Sequence, residues 1–279
     1  SKIFSCPFCF EIRDVWPDAL VDIGVLNKKN IIYITLKFME KYIYYHSNAI
    51  FSTLPFVKSH IEENSSRKIP FFYLPNGVKI DTKTSFSYKE NELNKIFSFA
   101  YIGGFGIDHD ISTMLKSAKL LEERGYKFKF DLYGSGINYQ KSKNMLESIN
   151  SKSIEIHGLV PKNQVKSILK NYQCAIAAIT NSPSYRFGIN LNKLTSYMMA
   201  GRPIIFSSSA PNNPVKESFC GFSCEAENIN ELANLMEKII NLSFEERFNL
   251  GLSGYNYLKN NLSISKLGGK MEKSLTELI

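Results

Sequence analysis

No stretch of this sequence is both long enough and apolar enough to cross a membrane. Its most apolar helix-like run, Ile31 to Phe51, carries Lys37, Glu40, Lys41 and His46, and charges inside the run exclude a span. The run is rich in Tyr, Phe and Ile and reads as core packing, a position on a membrane surface being the alternative. No signal-peptide pattern is visible, and no repeat or low-complexity tract is evident. Long Lys/Arg runs are missing too, which argues against nucleic acid as a partner. The basic residues are spread as Lys28-Lys29, Lys37, Lys41, Lys58 and Arg67-Lys68. With a formal net charge of +8 over 279 residues, a dispersed basic balance suits an anionic membrane surface or phosphorylated substrates. Disorder is excluded by 44% hydrophobic and 22% charged residues, the proportions of a globular chain.

Cysteine is scarce and odd in number: Cys6, Cys9, Cys174, Cys220 and Cys224. An odd count without a secretion signal points to reduced thiols and a cytoplasmic setting. Cys6-Pro-Phe-Cys9 has C-x-x-C spacing, and Cys220 and Cys224 form a second close pair. A zinc site needs all four to converge, but Cys6 and Cys9 lie in a strand-like run, so neither a metal nor a redox role is expected.

What is present is alternation. Short β-rich runs occur at Ile3–Ile12, Ala49–Ser52, Phe71–Leu74, Ser98–Ile102, Lys127–Tyr133, Ile154–His157, Cys174–Ala178, Pro203–Phe206 and Gly221–Cys224. Amphipathic stretches such as Ile111–Glu123, Lys162–Lys170, Ile229–Ile240 and Phe244–Leu258 lie between them. Strand–helix alternation predicts parallel sheets covered by helices, with ligands at the carboxyl ends of the strands. A boundary falls near Pro75-Asn76-Gly77. We read 1–80 as a partial N-terminal domain, 81–95 as a linker, 96–262 as a complete α/β domain and 263–279 as a C-terminal helix. Three strands are few for a parallel sheet covered on both faces. Residues 1–80 are therefore expected to be the second half of a larger domain whose start is missing.

The most informative segment is Pro183 to Ile205, PSYRFGINLNKLTSYMMAGRPII. A polar loop runs into a helix, and Gly201-Arg202-Pro203 stops that helix before a strand. A helix N-terminus offers unpaired N–H groups and a positive dipole end, which together suit a phosphate. Lys193 in the first turn and Arg186 just before it would add charge. Tyr101-Ile-Gly-Gly-Phe-Gly106 joins a strand to a helix, and Gly103, Gly104 and Gly106 would let backbone approach a ligand. Its spacing is not the G-x-G-x-x-G of a dinucleotide site. Tyr133-Gly134-Ser-Gly136 repeats the arrangement, as a ligand contact or as a plain turn. Asp108-His109-Asp110 resembles a D-x-D metal motif, but Asp110 reads better as a helix N-cap. His109 could place an imidazole at the cleft mouth. Arg13 and Asp14, at the end of the first strand, are candidates for substrate contact, whereas Trp16 and Pro17 read as packing.

In this order, EIRDVWPD, YLPNGV, AYIGGFGIDHDISTML, DLYGSG, HGLVPKNQV and YRFGINLNKLTSYMMAGRPIIFSSSAPNNPVKESFCG resemble the family 4 glycosyltransferases of GT-B fold. The likeness covers essentially the whole chain. It is strongest to the subgroup that builds bacterial surface polysaccharides, including N-acetylfucosamine and related amino-sugar transferases. The resemblance implies two Rossmann-like domains facing across a cleft, the C-terminal one binding a nucleotide-sugar and the N-terminal one mainly the acceptor. It implies retaining transfer, normally with no metal, from a donor that is most simply a UDP-sugar. The acceptor would be a lipid-linked glycan at the inner face of the cytoplasmic membrane. Arg13, Asp14 and Lys193 would then be catalytic. The donor would be held by Gly103, Gly104, Gly106, His109, Gly134, Val160, Tyr185, Arg186, Phe187, Gly188, Ile189, Asn190, Asn192 and Ser196, with Val160 in the loop beside the base. Arg13 would occupy the position where many relatives carry a sugar-contacting His.

Three departures stand out. Gly188 and Ser196 fall where the family often has two acids eight residues apart, the second of which commonly holds the ribose. Gly104 stands where many relatives have a phosphate-binding Arg, a loss that Lys193 and Arg186 would have to offset. Two other readings remain open. One is a non-catalytic nucleotide-sugar-binding fragment that needs a missing N-terminal half or a partner chain. The other is a GT-B-type sugar-nucleotide epimerase, which would require acid/base residues in the cleft.

Overall fold

The computed structural model describes residues 6–80, 86 and 96–278. The 81–95 linker therefore lies, Phe86 apart, outside the described residues. The first part holds β1 (Cys9–Ile12), α1 (Asp18–Asp22), α2 (Ile31–His46), β2 (Ala49–Ser52), α3 (Lys58–Ser65) and β3 (Phe71–Tyr73). These strands form a parallel sheet in the order β1-β2-β3, with Cys9 opposite Ala49 and Ile50 opposite Phe71. The strand expected over Ile3–Ile12 is shorter than read. Pro7, which lacks an N–H, precedes it, and Cys6 lies outside it and is exposed.

The core-packing expectation for Ile31–Phe51 holds for Tyr44, Ala49, Ile50 and Phe51, which are buried, but not for most of the apolar side chains of α2. Ile31, Phe38, Tyr42 and Tyr45 are all more than half exposed. The stripe it turns inward is Tyr33, Lys37, Glu40 and Tyr44, spaced for one helix face. Lys37 Nζ pairs with Asp18 Oδ2 at 2.8 Å and Glu40 Oε2 at 2.6 Å. His60 Nε2 lies 2.7 Å from Glu40 Oε1, and Tyr33 donates to Asp18 at 2.6 Å. Burial works against the Asp18 carboxylate, yet the hydrogen bonds from Lys37 and Tyr33 outweigh it and hold its pKa below the usual value. Charges can be buried here because each has a partner.

The second sheet is six-stranded and parallel. It contains β4 (Phe97–Ile102), β5 (Phe128–Tyr133), β6 (Ile154–His157), β7 (Cys174–Ala178), β8 (Ile204–Ser207) and β9 (Gly221–Cys224) in the order β6-β5-β4-β7-β8-β9. Its helices are α4 (Ile111–Glu123), α5 (Tyr139–Ile149), α6 (Val165–Leu169), α7 (Asn192–Met199), α8 (Pro214–Glu217), α9 (Ile229–Ile240) and α10 (Phe244–Tyr257). Strand β7, Cys-Ala-Ile-Ala-Ala, is buried throughout, as a central parallel strand must be. Helices on both faces make two cores, one around Phe99, Met114 and Phe130, the other around Leu194, Tyr197 and Phe206.

Helix α11 (Ile264–Thr276) returns to the first sheet. Val78 donates to Leu262 O at 2.8 Å, Ile264 donates to Val78 O at 3.0 Å, and Lys270 Nζ reaches Tyr73 O at 2.7 Å. Cys9 stands in the first sheet, while Cys220 and Cys224 are buried at the far edge of the second. Burial pushes the Cys220 thiol up to about 12 and Cys224 to about 11. Among the described residues no cysteine belongs to a cluster of possible metal ligands.

Candidate functional site

Strand order in the second sheet reverses between β4 and β7, and ligands of open parallel sheets bind at the carboxyl end of such a switch point. The loops there are 103–110 after β4 and 179–191 after β7, tied together by a bridge between His109 and Ile179. The glycine loops are laced to one another. Gly103 donates to Tyr133 O at 3.0 Å, Phe105 to Ser135 O at 2.8 Å, and Gly134 to Gly158 O at 3.1 Å. At Gly134, φ is +151°, and a Cβ would fall 1.8 Å from the Gly103 carbonyl oxygen. Only glycine permits that approach, so Gly134 serves the contact between loops. Val160 lies half-buried in the loop after β6.

Lys193 is in the first turn of α7, whose N-cap, Leu191, offers no side-chain hydrogen bond. Its Nζ donates to Tyr101 Oη at 3.0 Å, and Tyr101 in turn donates to the Gly104 carbonyl. A Cβ on Gly103 would come within 2.9 Å of Tyr101 Oη and 3.1 Å of Lys193 Nζ. Burial lowers the Lys193 pKa to about 7, with Asp108 opposing. Burial, and then the Lys193 charge, lowers His109 to about 4, so His109 is a neutral imidazole at pH 7. Its Nδ1 accepts from Gly106 N–H at 3.3 Å. Asp110 caps α4 by accepting from Thr113 N–H at 2.9 Å. Asp108 accepts from Tyr185 Oη at 3.3 Å, and burial, helped by Asp108, pushes the Tyr185 phenol up. Each acid of the D-x-D sequence thus has a protein partner, although Asp110 Oδ2 is buried with none among the described residues.

Between the two sheets lies a cavity of about 380 Å³. It brings together Arg13 and Asp14 from the end of β1 with Tyr185, Gly188, Asn190 and Asn192 from the other side. Arg13 Nη2 donates to Asn76 Oδ1 at 3.1 Å, and Asn76 Nδ2 donates to Asn192 Oδ1 at 3.0 Å. Asn190 Nδ2 is enclosed with no partner among the described residues. Ile189 is buried, and its backbone N–H and carbonyl both bond the Asn212 side chain, at 2.7 and 3.0 Å. Gly188 has φ +99°, and a Cβ there would meet Pro55 at 2.7 Å and Asn212 at 2.8 Å. Asp108 also lines the cavity, joining it to the cluster of Gly103, Gly104, Gly106, His109 and Lys193.

Several residues stand differently from expectation. Arg186 does not add its charge freely to the helix end. It pairs with Asp22 of the first part and donates to Pro183 O at 2.8 Å, because the nearest carboxylate lies across the cleft. Phe187 lines the cavity and also reaches the first part: its ring is 5.3 Å from that of His60, and its carbonyl accepts from Phe56 N–H at 3.1 Å. Ser196 turns its hydroxyl back to Asn192 O at 3.0 Å, since a helical serine can bond the carbonyl four residues earlier. Trp16 is not packed: it is 55% exposed and borders the cavity. Sequence reasoning also passed over Tyr101, Asn212 and the bridging role of Asn76. Asn76 lies within the YLPNGV motif, the one signal that could have flagged it.

The profile of the family described as glycosyl transferases group 1 matches residues 82–257. The chain belongs to this family. It is 24% identical over 224 residues to an uncharacterized glycosyltransferase of Methanocaldococcus jannaschii, covering 80% of this chain and 58% of that protein. Among solved structures it is similar to HepE of Anabaena in complex with UDP, at a TM-score of 0.74 and 10% identity over 99% of this chain and 74% of that one. TarM of S. aureus gives 0.69 at 16% identity, over 89% of this chain and 48% of that one. The pneumococcal O-GlcNAc transferase GtfA, in complex with UDP and GlcNAc, gives 0.65 at 15% identity, over 91% and 50%. These likenesses show the GT-B fold. The chain spans about half the length of TarM and GtfA and 58% of the archaeal relative. Among the described residues no helix is long and apolar enough to cross a membrane.

Proposed function

We propose that this family member binds a UDP-sugar in the cavity between the sheets and transfers the sugar, with retention, to a lipid-linked glycan. The observation that carries the reading is one cavity walled on one side by Arg13 and Asp14 and on the other by the loop that enters α7. The donor diphosphate would lie at the uncapped N-terminus of α7, beside Lys193 and the Gly103–Gly106 loop. Amides and an ammonium there would stabilise the negative charge that grows on the leaving nucleoside diphosphate. Tyr185, Asn190 and Asn192 would meet the sugar, Val160 the base, and Ser196 would give the ribose only a weak contact. Arg13 and Asp14 would face the reacting centre from the acceptor side. The dispersed positive charge suits a pyrophosphate lipid at an anionic surface. UDP in the complexes of HepE and GtfA supports uridine as the base.

A thermal-shift panel of UDP-, GDP-, dTDP- and ADP-sugars tests the donor, since a ligand that binds the folded chain raises Tm by mass action. The reading requires the UDP-sugars to give the largest rise. A second reading is a donor-binding unit that depends on another polypeptide for transfer. It is favoured by the three-stranded first sheet and by the exposed apolar side of α2. Transfer by residues 1–279 alone would defeat it.

A further inference from the structure

We propose that Trp16 is a stacking platform for a pyranose ring on the acceptor side of the cleft, with Asp14 beside it to accept hydrogen bonds from the sugar's hydroxyls. The inference rests on the glycosyltransferase reading and adds a residue to it. The loop after β1 is built to hold Trp16 outward. Val15 is buried beneath it at 5% exposure, Trp16 N–H donates to Asp14 O at 3.0 Å, and Ala19 N–H donates to Val15 O at 2.8 Å at the start of α1. The anchor is thus the small neighbour, and the large indole remains 55% exposed.

Its position is specific. Trp16 borders the cavity between the sheets together with Asp14 and Asn192, and it also borders a smaller groove of about 190 Å³ lined by Phe10, Leu36, Met39 and Ile43. It therefore stands between a cleft of mixed lining, with Arg13, Asp14 and Asn192 in its walls, and a more apolar groove that also holds Glu11 and Glu40. A pyranose has that same duality, with a face of C–H bonds and an equator of hydroxyls. The indole face would cover the C–H face and remove apolar area from water, while the exposed Asp14 carboxylate would accept from the hydroxyls. Arg13, the residue before Asp14, is fixed by Asn76, so the platform is held in register with the cavity.

The test uses an internal reporter, because Trp16 is the only tryptophan in the 279 residues. The full chain, first loaded with UDP and checked for UDP binding by calorimetry, is titrated with methyl glycopyranosides of glucose, galactose, N-acetylglucosamine and N-acetylfucosamine. At least one should change the tryptophan emission saturably. W16A should weaken that glycoside about tenfold, with W16F between it and wild type. UDP affinity should stay the same in all three, which also shows that the variants fold. The proposal is overturned if no glycoside alters the emission while UDP binds, or if W16A binds the glycoside as tightly as wild type. It is equally overturned if W16A weakens UDP instead, for then the indole serves the nucleotide. Failure of UDP to bind wild type would instead defeat the donor reading on which the proposal rests.

Discussion

The ammonium of Lys193 lies 3.0 Å from the Tyr101 hydroxyl and 4.7 Å from the centre of the Tyr101 ring. A buried cation with a phenol and an aromatic face for company is stabilised less than one paired with a carboxylate. Burial therefore lowers its pKa to about 7, with only the Asp108 charge opposing.

The pH dependence of donor binding follows. A bound diphosphate would raise the Lys193 pKa above its value in the free protein, so binding takes up a proton. Affinity for an intact UDP-sugar should be flat below about 7 and fall up to about tenfold per pH unit above it. Calorimetry in buffers of different ionisation enthalpy measures the proton uptake directly. No uptake near pH 8 would contradict the assignment.

Lys193→Met should separate stability from function. Removing an ammonium that burial disfavours should raise Tm, by about 2–4 °C for each kcal/mol relieved. Donor affinity should fall at the same time. A lower Tm measured by calorimetric scanning would mean that the cation is structural.

Gly188→Ala probes the contact between the two parts. At φ +99°, with Pro55 and Asn212 both inside 3.0 Å of the added methyl, the substitution should cost roughly 1–3 kcal/mol. A drop in Tm of several degrees is expected. An unchanged Tm would show that the loop can shift away from Pro55.

Asp110→Ala separates cap from metal ligand. Loss of the hydrogen bond to Thr113 N–H should cost about 1 kcal/mol, a typical N-cap value. Donor binding should not respond to a chelator in wild type or variant. Chelator-sensitive donor binding in wild type that is lost in the variant would reverse the reading.

Much of this was legible from residues next to one another. Cys174–Ala178 reads as a strand because a central parallel strand is apolar without a break, and Asp110 reads as a cap because an acid precedes an amphipathic run. Ile154–His157, Gly221–Cys224 and Ile229–Ile240 begin and end where the pattern puts them. What the pattern could not supply were contacts between distant residues. Arg186 looked free until the fold brought Asp22, 164 positions away, to it. Asn76 gained its meaning from Asn192, 116 positions on. Helix α2 misled because it buries a paired polar stripe, Lys37 and Glu40 among it, and turns Phe38 and Tyr42 outward. Hydropathy records which side is greasy, not which side has partners.

Asn76 offers a test of the span between the two parts. Asn76→Ala leaves Arg13 and Asn192 without their shared partner, and should lower transfer while changing donor affinity little. Combined with Arg13→Ala, the effects should be clearly non-additive, as expected of residues in one network. Full additivity in the rates would place Arg13 and Asn76 in separate roles.

The most direct measurement is isothermal titration of UDP into wild type and Lys193→Ala at pH 6.5, where the amine is mostly charged. Saturable one-to-one binding to wild type is expected, with at least about a tenfold loss in the variant, the size of one charge-assisted contact. Equal affinity in the two proteins, or no binding to wild type, would contradict the donor assignment.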